Sequence, residues 1–475
     1  MREPTNMKSQ TLEADYLIIG SGAMGMAFAD TILSETEASI IIVDQHHKPG
    51  GHWNDAYPFV TLHQPSSFYG VNSLELSSGK LDEVGLNKGM HELASGAEVL
   101  AYYDQVMRHT FLPSGRVQYF PMCKYVGDKQ FRSLTSGTQY SVTVNKKVVD
   151  GTYFKTSVPA THTPNFEISN DVEFAPLNEL PKLLTPRDAY VIVGGGKTAI
   201  DACLWLLEHH INPDLIHWIM PRDGWWIDRA NTQPSRDFFT NTIGAQANQL
   251  EAIGEAENMA DLFKRLEQSG VLMRLDETVT PSMFHGATVS RDELKQLQRI
   301  KNVIRKGRVS RLKKGLIHFA DDQLKVPHNS IFIDCSARAI PVSEIVPIFS
   351  EDTITIQTVR SYQPVLSSAF VAHIEVTYGD NEIKNDICQV VPLPNHAHDW
   401  LLGMAAQMRN QQRWSKEPDL RAWLIAHRLD AFTALMTPDE HSTKQELEIL
   451  ARCKAAIPKV LVNMPKLIQE AISTV

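Results

Sequence analysis

Cysteine is scarce in this chain of 475 residues and it is scattered: Cys123, Cys203, Cys335, Cys388 and Cys453 make no CxxC or CxxxxC pair. That absence excludes a disulfide-stapled scaffold, a cysteine zinc site and a redox-active dithiol. Long apolar runs are missing too, since no window reaches the ~18 consecutive apolar residues of a membrane-spanning helix. Positive charge is not concentrated. The formal net charge is −9, and the basic stretches Arg305–Arg308 and Arg311–Lys314 are short, which argues against nucleic acid as a partner. Met1–Ala14 is polar and lacks the apolar core of a signal peptide, so a cytoplasmic location is expected. What remains is 43% hydrophobic and 21% charged, ordinary globular composition at a length that calls for two or three domains.

The run Tyr16-Leu-Ile-Ile19 suits a buried parallel strand, and Met26–Leu33 has helical character. Between them stands Gly20-Ser-Gly22-Ala-Met-Gly25. Gly20 permits the tight turn, Gly22 admits a pyrophosphate close to the backbone, and Gly25 lets helix and strand pack closely. Ala23 and Met24 open the helix, whose first N–H groups and partial positive charge face the phosphates. The next apolar run, Ile40–Val43, ends in Asp44. An acid at the tip of the second strand accepts hydrogen bonds from ribose hydroxyls and repels a 2′-phosphate.

Six residues after Asp44 comes Gly50-Gly51-His52-Trp53. In this order of glycine turn, acid and GG-x-W, the chain resembles the flavin-containing and Baeyer–Villiger monooxygenases. The resemblance implies FAD in the first site, with Gly51, His52 and Trp53 along its diphosphate and ribityl region. Ser66-Ser-Phe-Tyr-Gly-Val-Asn72 is similar to the segment carrying the active-site asparagine of the flavin-containing members, which would put Asn72 near the reactive edge of the flavin.

The opening pattern recurs 174 residues later, with Gly194 matching Gly20 and Gly196 matching Gly22. Ala189–Val193 is the strand, Gly194-Gly-Gly196-Lys197-Thr198-Ala199 the turn, and Ile200–His209 the helix; Ala199 replaces the third glycine. Two motifs imply two dinucleotides. The following strand, Leu215–Met220, ends in Pro221-Arg222 rather than in an acid. A guanidinium there grips a 2′-phosphate and stacks on adenine, so NADPH is expected over NADH. Asp223 and Asp228 weaken that inference, and Lys197 either serves the phosphates or points to solvent.

The expected fold is α/β, with two Rossmann-like three-layer domains, one for FAD and one for NAD(P), and a largely helical C-terminal region. The FAD domain is split over 1–180 and 333–475, and the NADPH domain inserts at 186–332. Pro181–Asp188 reads as a linker. Tyr140–Val144 and Lys147–Tyr153 read as an antiparallel hairpin, and Gly307–Ser310 with Arg311 as the first of several short strands. Ile331–Asp334 is an exit strand whose Cys335-Ser336-Ala337 takes the place of the small-residue turn in the resembled families, bringing Ala337 beside the cofactor. Ala245–Gln268 reads as one or two surface helices and Ser368–Tyr378 as strand, while Asp399 is a candidate N-cap for Trp400–Gln411. His396 and His398 lack a third convergent ligand, so no metal is expected. Trp225, Trp226 and Trp400 suit either an apolar or aromatic substrate or core packing.

The resemblance implies an enzyme in which hydride passes from NADPH to flavin and electrons pass onward. With no cysteine pair to receive them, molecular oxygen is the expected acceptor, through a flavin C4a-(hydro)peroxide that oxygenates a small organic substrate. The family's FxGxxxH element is missing: Phe174–Leu180 lacks its glycine and histidine, and Phe284-His-Gly286 follows the second motif. Two alternatives therefore stand: a flavin reductase acting on an organic acceptor, and a non-catalytic flavin-bound sensor.

Overall fold

Strand β1 (Ser9–Ile19) enters helix α1 (Ala23–Glu35) through the first glycine turn, and β2 (Ile40–Val43) follows. The computed structural model describes residues 9–338 and 344–473, so the first eight residues of the polar start lie outside it. Helix α2 (Gly96–Val106) leads to β3 (Val117–Phe120), β4 (Cys123–Gly127), β5 (Gln130–Ser133) and β6 (Gln139–Asp150). These strands form one sheet in the order β3-β2-β1-β6-β5-β4. Both faces of the inner strands are apolar and each face has its own cover. Tyr16, Ile18, Ile40 and Ile42 pack toward α1 and α2, while Leu17, Ile41 and Val43 pack toward Cys123 and Phe131 of the β4–β5 hairpin. That double burial is why the sequence there runs apolar without alternation.

The hairpin expected over 140–153 is instead the single strand β6, parallel to β1. Val144 pairs with Ala14 and Lys147 with Tyr16, so Asn145 and Lys146 together oppose Asp15 alone. The polar pair is a bulge and not a turn.

Next come β7 (Glu167–Ile168), β8 (Glu173–Pro176), β9 (Ala189–Val193), α3 (Lys197–Glu208), β10 (Ile216–Ile219) and β11 (Trp226–Asp228). They are followed by α4 (Phe239–Glu255), α5 (Met259–Gln268), β12 (Leu272–Met273), β13 (Thr288–Val289), α6 (Arg291–Leu297) and β14 (Asn302–Ile304). Strands β15 (Arg311–Lys313), β16 (Leu316–His318), β17 (Gln323–Lys325) and β18 (Ser330–Asp334) close the set. A five-stranded parallel sheet runs β14-β10-β9-β18-β8. Tyr190, Ile192 and Trp218 face α3, and Val191, Val193 and Ile219 face the antiparallel β15–β17 layer. The repeat seen in the sequence therefore extends to topology, since β3-β2-β1-β6 and β14-β10-β9-β18 are the same strand order around the same glycine turn.

Several expected boundaries move. Gly307–Ser310 precedes the strand that begins at Arg311. Residues β7 and β8 lie ahead of 180 yet pair with β15 and β18, so the chain leaves the first sheet at Asp150. It returns with β19 (Thr353–Thr355), parallel to β6. Leu177–Lys182, partly inside the expected linker, is a short 3-10 helix because Leu177 and Leu180 are buried.

The last third is helical: α7 (Pro364–Thr377), α8 (Asn381–Ile387), α9 (Asp399–Trp414), α10 (Pro418–Ala426), α11 (Ala431–Leu435) and α12 (Lys444–Ser473). Helix α7 replaces the strand expected at 368–378. It starts with Pro364 in its first turn and buries small residues, Ser367, Ser368, Ala369 and Ala372, which permits close approach to α1. Asp399 is the first helical residue, not the cap. Its carboxylate reaches backward to the N–H groups of Asn395 (2.8 Å) and His396 (2.7 Å). The pair α4 and α5 is buried on one side by α12 rather than lying loose on the surface.

Candidate functional site

The first glycine turn is held from three sides. Gly20 has a φ of +94°, which disfavours a side chain, and a Cβ on Gly25 would stand 1.9 Å from the Gly20 carbonyl oxygen. From above, a Cβ on Gly51 (φ +55°) would stand 2.9 Å from Gly22 Cα, and Gly50 N donates to Ser21 O at 2.9 Å. The GG-x-W turn thus lies directly on the first glycine turn. No side chain caps the N-terminus of α1 and no acid occupies its first turn. The end that includes Ala23 and Met24 therefore offers backbone N–H groups and positive potential to an anion.

Asp44 holds the turn from behind. One carboxylate oxygen accepts from Ser21 N (2.6 Å) and Ser21 Oγ (2.9 Å), the other from His46 N (2.8 Å) and His46 Nδ1 (2.8 Å). Burial pushes its pKa up, but the hydrogen bonds from His46 and Ser21 outweigh burial and the net shift is downward. The bond to Asp44 in turn raises His46 to about 8, helped by Asp55 at 3.0 Å. His52 stacks on Trp53 and burial pushes its pKa down to about 4, keeping the ring neutral. Trp53 is buried and donates its indole N–H to Tyr69 Oη at 2.8 Å.

Asn72 is exposed, and its Oδ1 accepts from the backbone N–H of Arg428 at 3.1 Å. The Arg428 guanidinium donates to the carbonyls of Ser67 (2.8 Å), Tyr69 (3.4 Å), Leu74 (3.3 Å) and Val71. A residue between α10 and α11 therefore shapes the segment carrying Asn72. Nothing local in the sequence around Arg428 signals this.

In the second turn a Cβ on Gly194 (φ +139°) would meet the Cys335 carbonyl oxygen at 2.2 Å, so the exit strand packs onto it. Trp218, a residue the sequence reading passed over, donates its indole N–H to Gly194 O at 2.8 Å. Ala337 lies half-buried just beyond Cys335, whose thiol is pushed well up by burial. Nothing stands within 4 Å of a Cβ on Gly196, and no side chain caps α3, so the start of that helix at Lys197 and Thr198 is open. Ala199 is fully buried against the sheet. Lys197 is turned aside: its ammonium pairs with Asp201 one helical turn on. Asp201 also accepts a 2.5 Å hydrogen bond from Tyr57 Oη. Beside them, burial pushes His63 down to about 3.

Arg222 stands at the tip of β10 and donates to Asn395 Oδ1 at 2.9 Å. Burial lowers its pKa, and Arg308 and Arg338 nearby add to the shift. The two acids that counted against a phosphate are both engaged elsewhere. Asp223 is paired with Arg305 at 2.9 Å, and buried Asp228 with Arg291 at 2.7 Å. Asp399 is the carboxylate that acts on Arg222, and Arg308 and Arg338 together outweigh it, so the local field there is positive.

Other candidates resolve as packing. Trp225, Trp226 and Trp400 are all buried, Trp225 stacking on Phe263 with centroids 5.4 Å apart. His396 and His398 lie parallel at 5.5 Å, and among the described residues no group of three or more His, Cys, Asp or Glu could hold a metal ion. Among the described residues no helix is long and apolar enough to cross a membrane.

A family model described as an NAD(P)-binding Rossmann-like domain matches residues 18–64. Uncharacterized proteins of Mycobacterium bovis and Mycobacterium tuberculosis are 44% identical over 471 residues, covering 99% of this chain and 87% of theirs. Among solved structures, the open crystal structure of cyclohexanone monooxygenase is 12% identical, with a TM-score of 0.47 and coverage of 86% of this chain and 93% of that one. A flavin-containing monooxygenase from Stenotrophomonas maltophilia is 13% identical, with a TM-score of 0.42 and coverage of 85% and 99%. A steroid monooxygenase bound to NADP is 12% identical, with a TM-score of 0.44 and coverage of 76% and 84%.

Proposed function

The chain belongs to the same family as the mycobacterial proteins that it matches over 99% of its length, and we propose that it is an FAD-dependent, NADPH-using oxidoreductase that acts as a monooxygenase on a small organic substrate. The observation that carries this is the pairing of two uncapped glycine-turn helices with different surroundings. The first is roofed by Gly51 and backed by Asp44; the second opens beside Arg222 with its neighbouring acids neutralised.

In this reading the N-termini of α1 and α3 each bind a pyrophosphate through backbone N–H groups. Gly51, His52 and Trp53 line the flavin's diphosphate side, and Asp44 gives that site a negative edge that rejects a 2′-phosphate. Arg222 supplies the opposite edge in the second site and selects NADPH. Ala337, three residues beyond the exit strand β18, returns the chain to the flavin. Bound together, the cofactors supply hydride transfer from nicotinamide to flavin and onward transfer to oxygen. The neutral His52 and buried Trp53 add no charge of their own there.

Anaerobic mixing with NADPH, followed by oxygen-18 and a panel of small ketones, sulfides and amines, tests the proposal. Loss of the flavin's visible absorbance and a product carrying one label are expected. NADPH oxidation that leaves every product unlabelled and proceeds with an organic acceptor in place of oxygen would favour the reductase. That reading draws on the segment Phe174–Leu180, which folds as most of β8 and the start of a short 3-10 helix and lacks the glycine and histidine of the resembled families.

A further inference from the structure

Helix α12 buries one side against α4 and α5, through Ile449, Cys453, Val460, Met464 and Leu467. Its other side is open. At helical spacing there stand Leu447, Pro458, Leu461, Val462, Pro465 and Ile472, with Leu461 62% and Val462 64% exposed beside a fully buried Val460. Across Ile449–Gln469 the helix has no acidic residue and carries Arg452, Lys454, Lys459 and Lys466, although the whole chain is at −9. Glu448 and Glu470 bound this stretch. Arg452 pairs with Glu251 (2.7 Å), and Lys459 with Glu255 (2.9 Å), which also meets Arg265. Among the described residues Lys454 and Lys466 have no ion pair. Beside the ridge runs a trough of about 490 Å³ floored by Gly254, Ala256 and Asn463.

We propose that this ridge seats the protein on an anionic lipid bilayer, with Leu461 and Val462 in the headgroup layer and Lys454 and Lys466 against lipid phosphates. The exposed line is too apolar to be a plain solvated face, and over Ile449–Gln469 the helix flanks it with cations and no acid of its own. Charge decides the occupant. A second copy laid ridge to ridge would set Lys454 and Lys466 against like charge, since the nearby Glu251 and Glu255 are already paired with Arg452 and Lys459, whereas an anionic surface complements them. The prolines set the depth. Pro458 and Pro465 lack N–H groups, so the carbonyls of Lys454 and Leu461 lose helical partners on the outward side. Water at headgroup level satisfies them, and the hydrocarbon core does not.

Flotation of the full chain with vesicles tests this, comparing phosphatidylcholine alone with phosphatidylcholine containing phosphatidylglycerol. Binding to the anionic vesicles is expected, weakening with salt. It should fall about tenfold both in Leu461→Asp/Val462→Asp and in Lys454→Glu/Lys466→Glu, whose positions are exposed and whose thermal unfolding should match wild type. Three results overturn the proposal: no flotation with anionic vesicles, equal flotation of wild type and both variants, or light scattering that shows a dimer broken by the Leu461/Val462 change in a protein that ignores vesicles.

Discussion

Tyr57 Oη lies 2.5 Å from Asp201 Oδ2, so the loop that follows the GG-x-W turn is bonded to the helix that follows the second glycine turn. The phenol is buried, and its pKa is raised well above the ordinary value first by burial and then by the Asp201 charge. Tyr57→Phe should cost about 2 kcal/mol in urea unfolding, as for a hydrogen bond to a charged partner. Asp201→Ala should cost more, about 3 kcal/mol, because Lys197 then loses its counter-charge at a site where both side chains are nearly buried. Additive losses in the double variant would show that the two groups do not interact.

The glycines of the first turn should separate folding from ligand binding. A Cβ at position 22 would sit 3.5 Å from Gly51 Cα, an ordinary contact, while one at position 25 would collide with the Gly20 carbonyl. Gly22→Ala should match the thermal transition of flavin-free wild type and emerge without bound flavin, read from visible absorbance. Gly25→Ala should lose several kcal/mol and much of its soluble yield. A yellow, fully loaded Gly22→Ala protein would refute the placement of the pyrophosphate.

Arg222→Ala should raise the KM for NADPH at least tenfold, about 1.4 kcal/mol, and leave that for NADH nearly unchanged. Asp223→Asn is the companion variant. It removes a charge already neutralised by Arg305, so a much smaller change in coenzyme preference is expected.

Stability should peak near neutral pH and fall on both sides. His46, raised from 6.5 to about 8 by Asp44, contributes fully below pH 6.5, and its contribution disappears as pH rises through about 8. That arm is worth about 1–2 kcal/mol, since the ring is only partly exposed. His63, His52 and His427 run the other way. Burial lowers them to about 3, 4 and 4, so their contribution is present above pH 6.5 and is lost as pH falls. Urea midpoints across this range check the shape, and His46→Asn should flatten only the alkaline arm.

The strand–turn–helix repeats were legible because glycine geometry and double burial are local in the sequence. Tyr16–Gly25 and Tyr190–Ala199 announce themselves without their surroundings. The misreadings came where a distant partner overrides the local pattern. Asn145 and Lys146 look like a turn until the long strand β1 absorbs them as a bulge. Val371 and Ile374 look like strand residues until α1 supplies a surface that small neighbours can approach. At the site, Asp201 carried a sign in its spacing from Lys197, but Tyr57 is 144 residues away from it and Arg428 is more than 350 from the segment it clamps. Such pairings have no signature within any window of the chain.

The return of β19 and α7 to the first sheet bears on the order of events during synthesis. The N-terminal unit emerges first from the ribosome, yet α1 has no α7 to pack against until residues beyond 364 are made. The middle unit, with its strands closed by residue 334, has its whole sheet available earlier. The segment made first should therefore be among the last to reach its final packing, holding an open apolar face while its neighbour folds. A released chain truncated near residue 340 should already protect β9 and β10 from proteolysis while leaving α1 open to it.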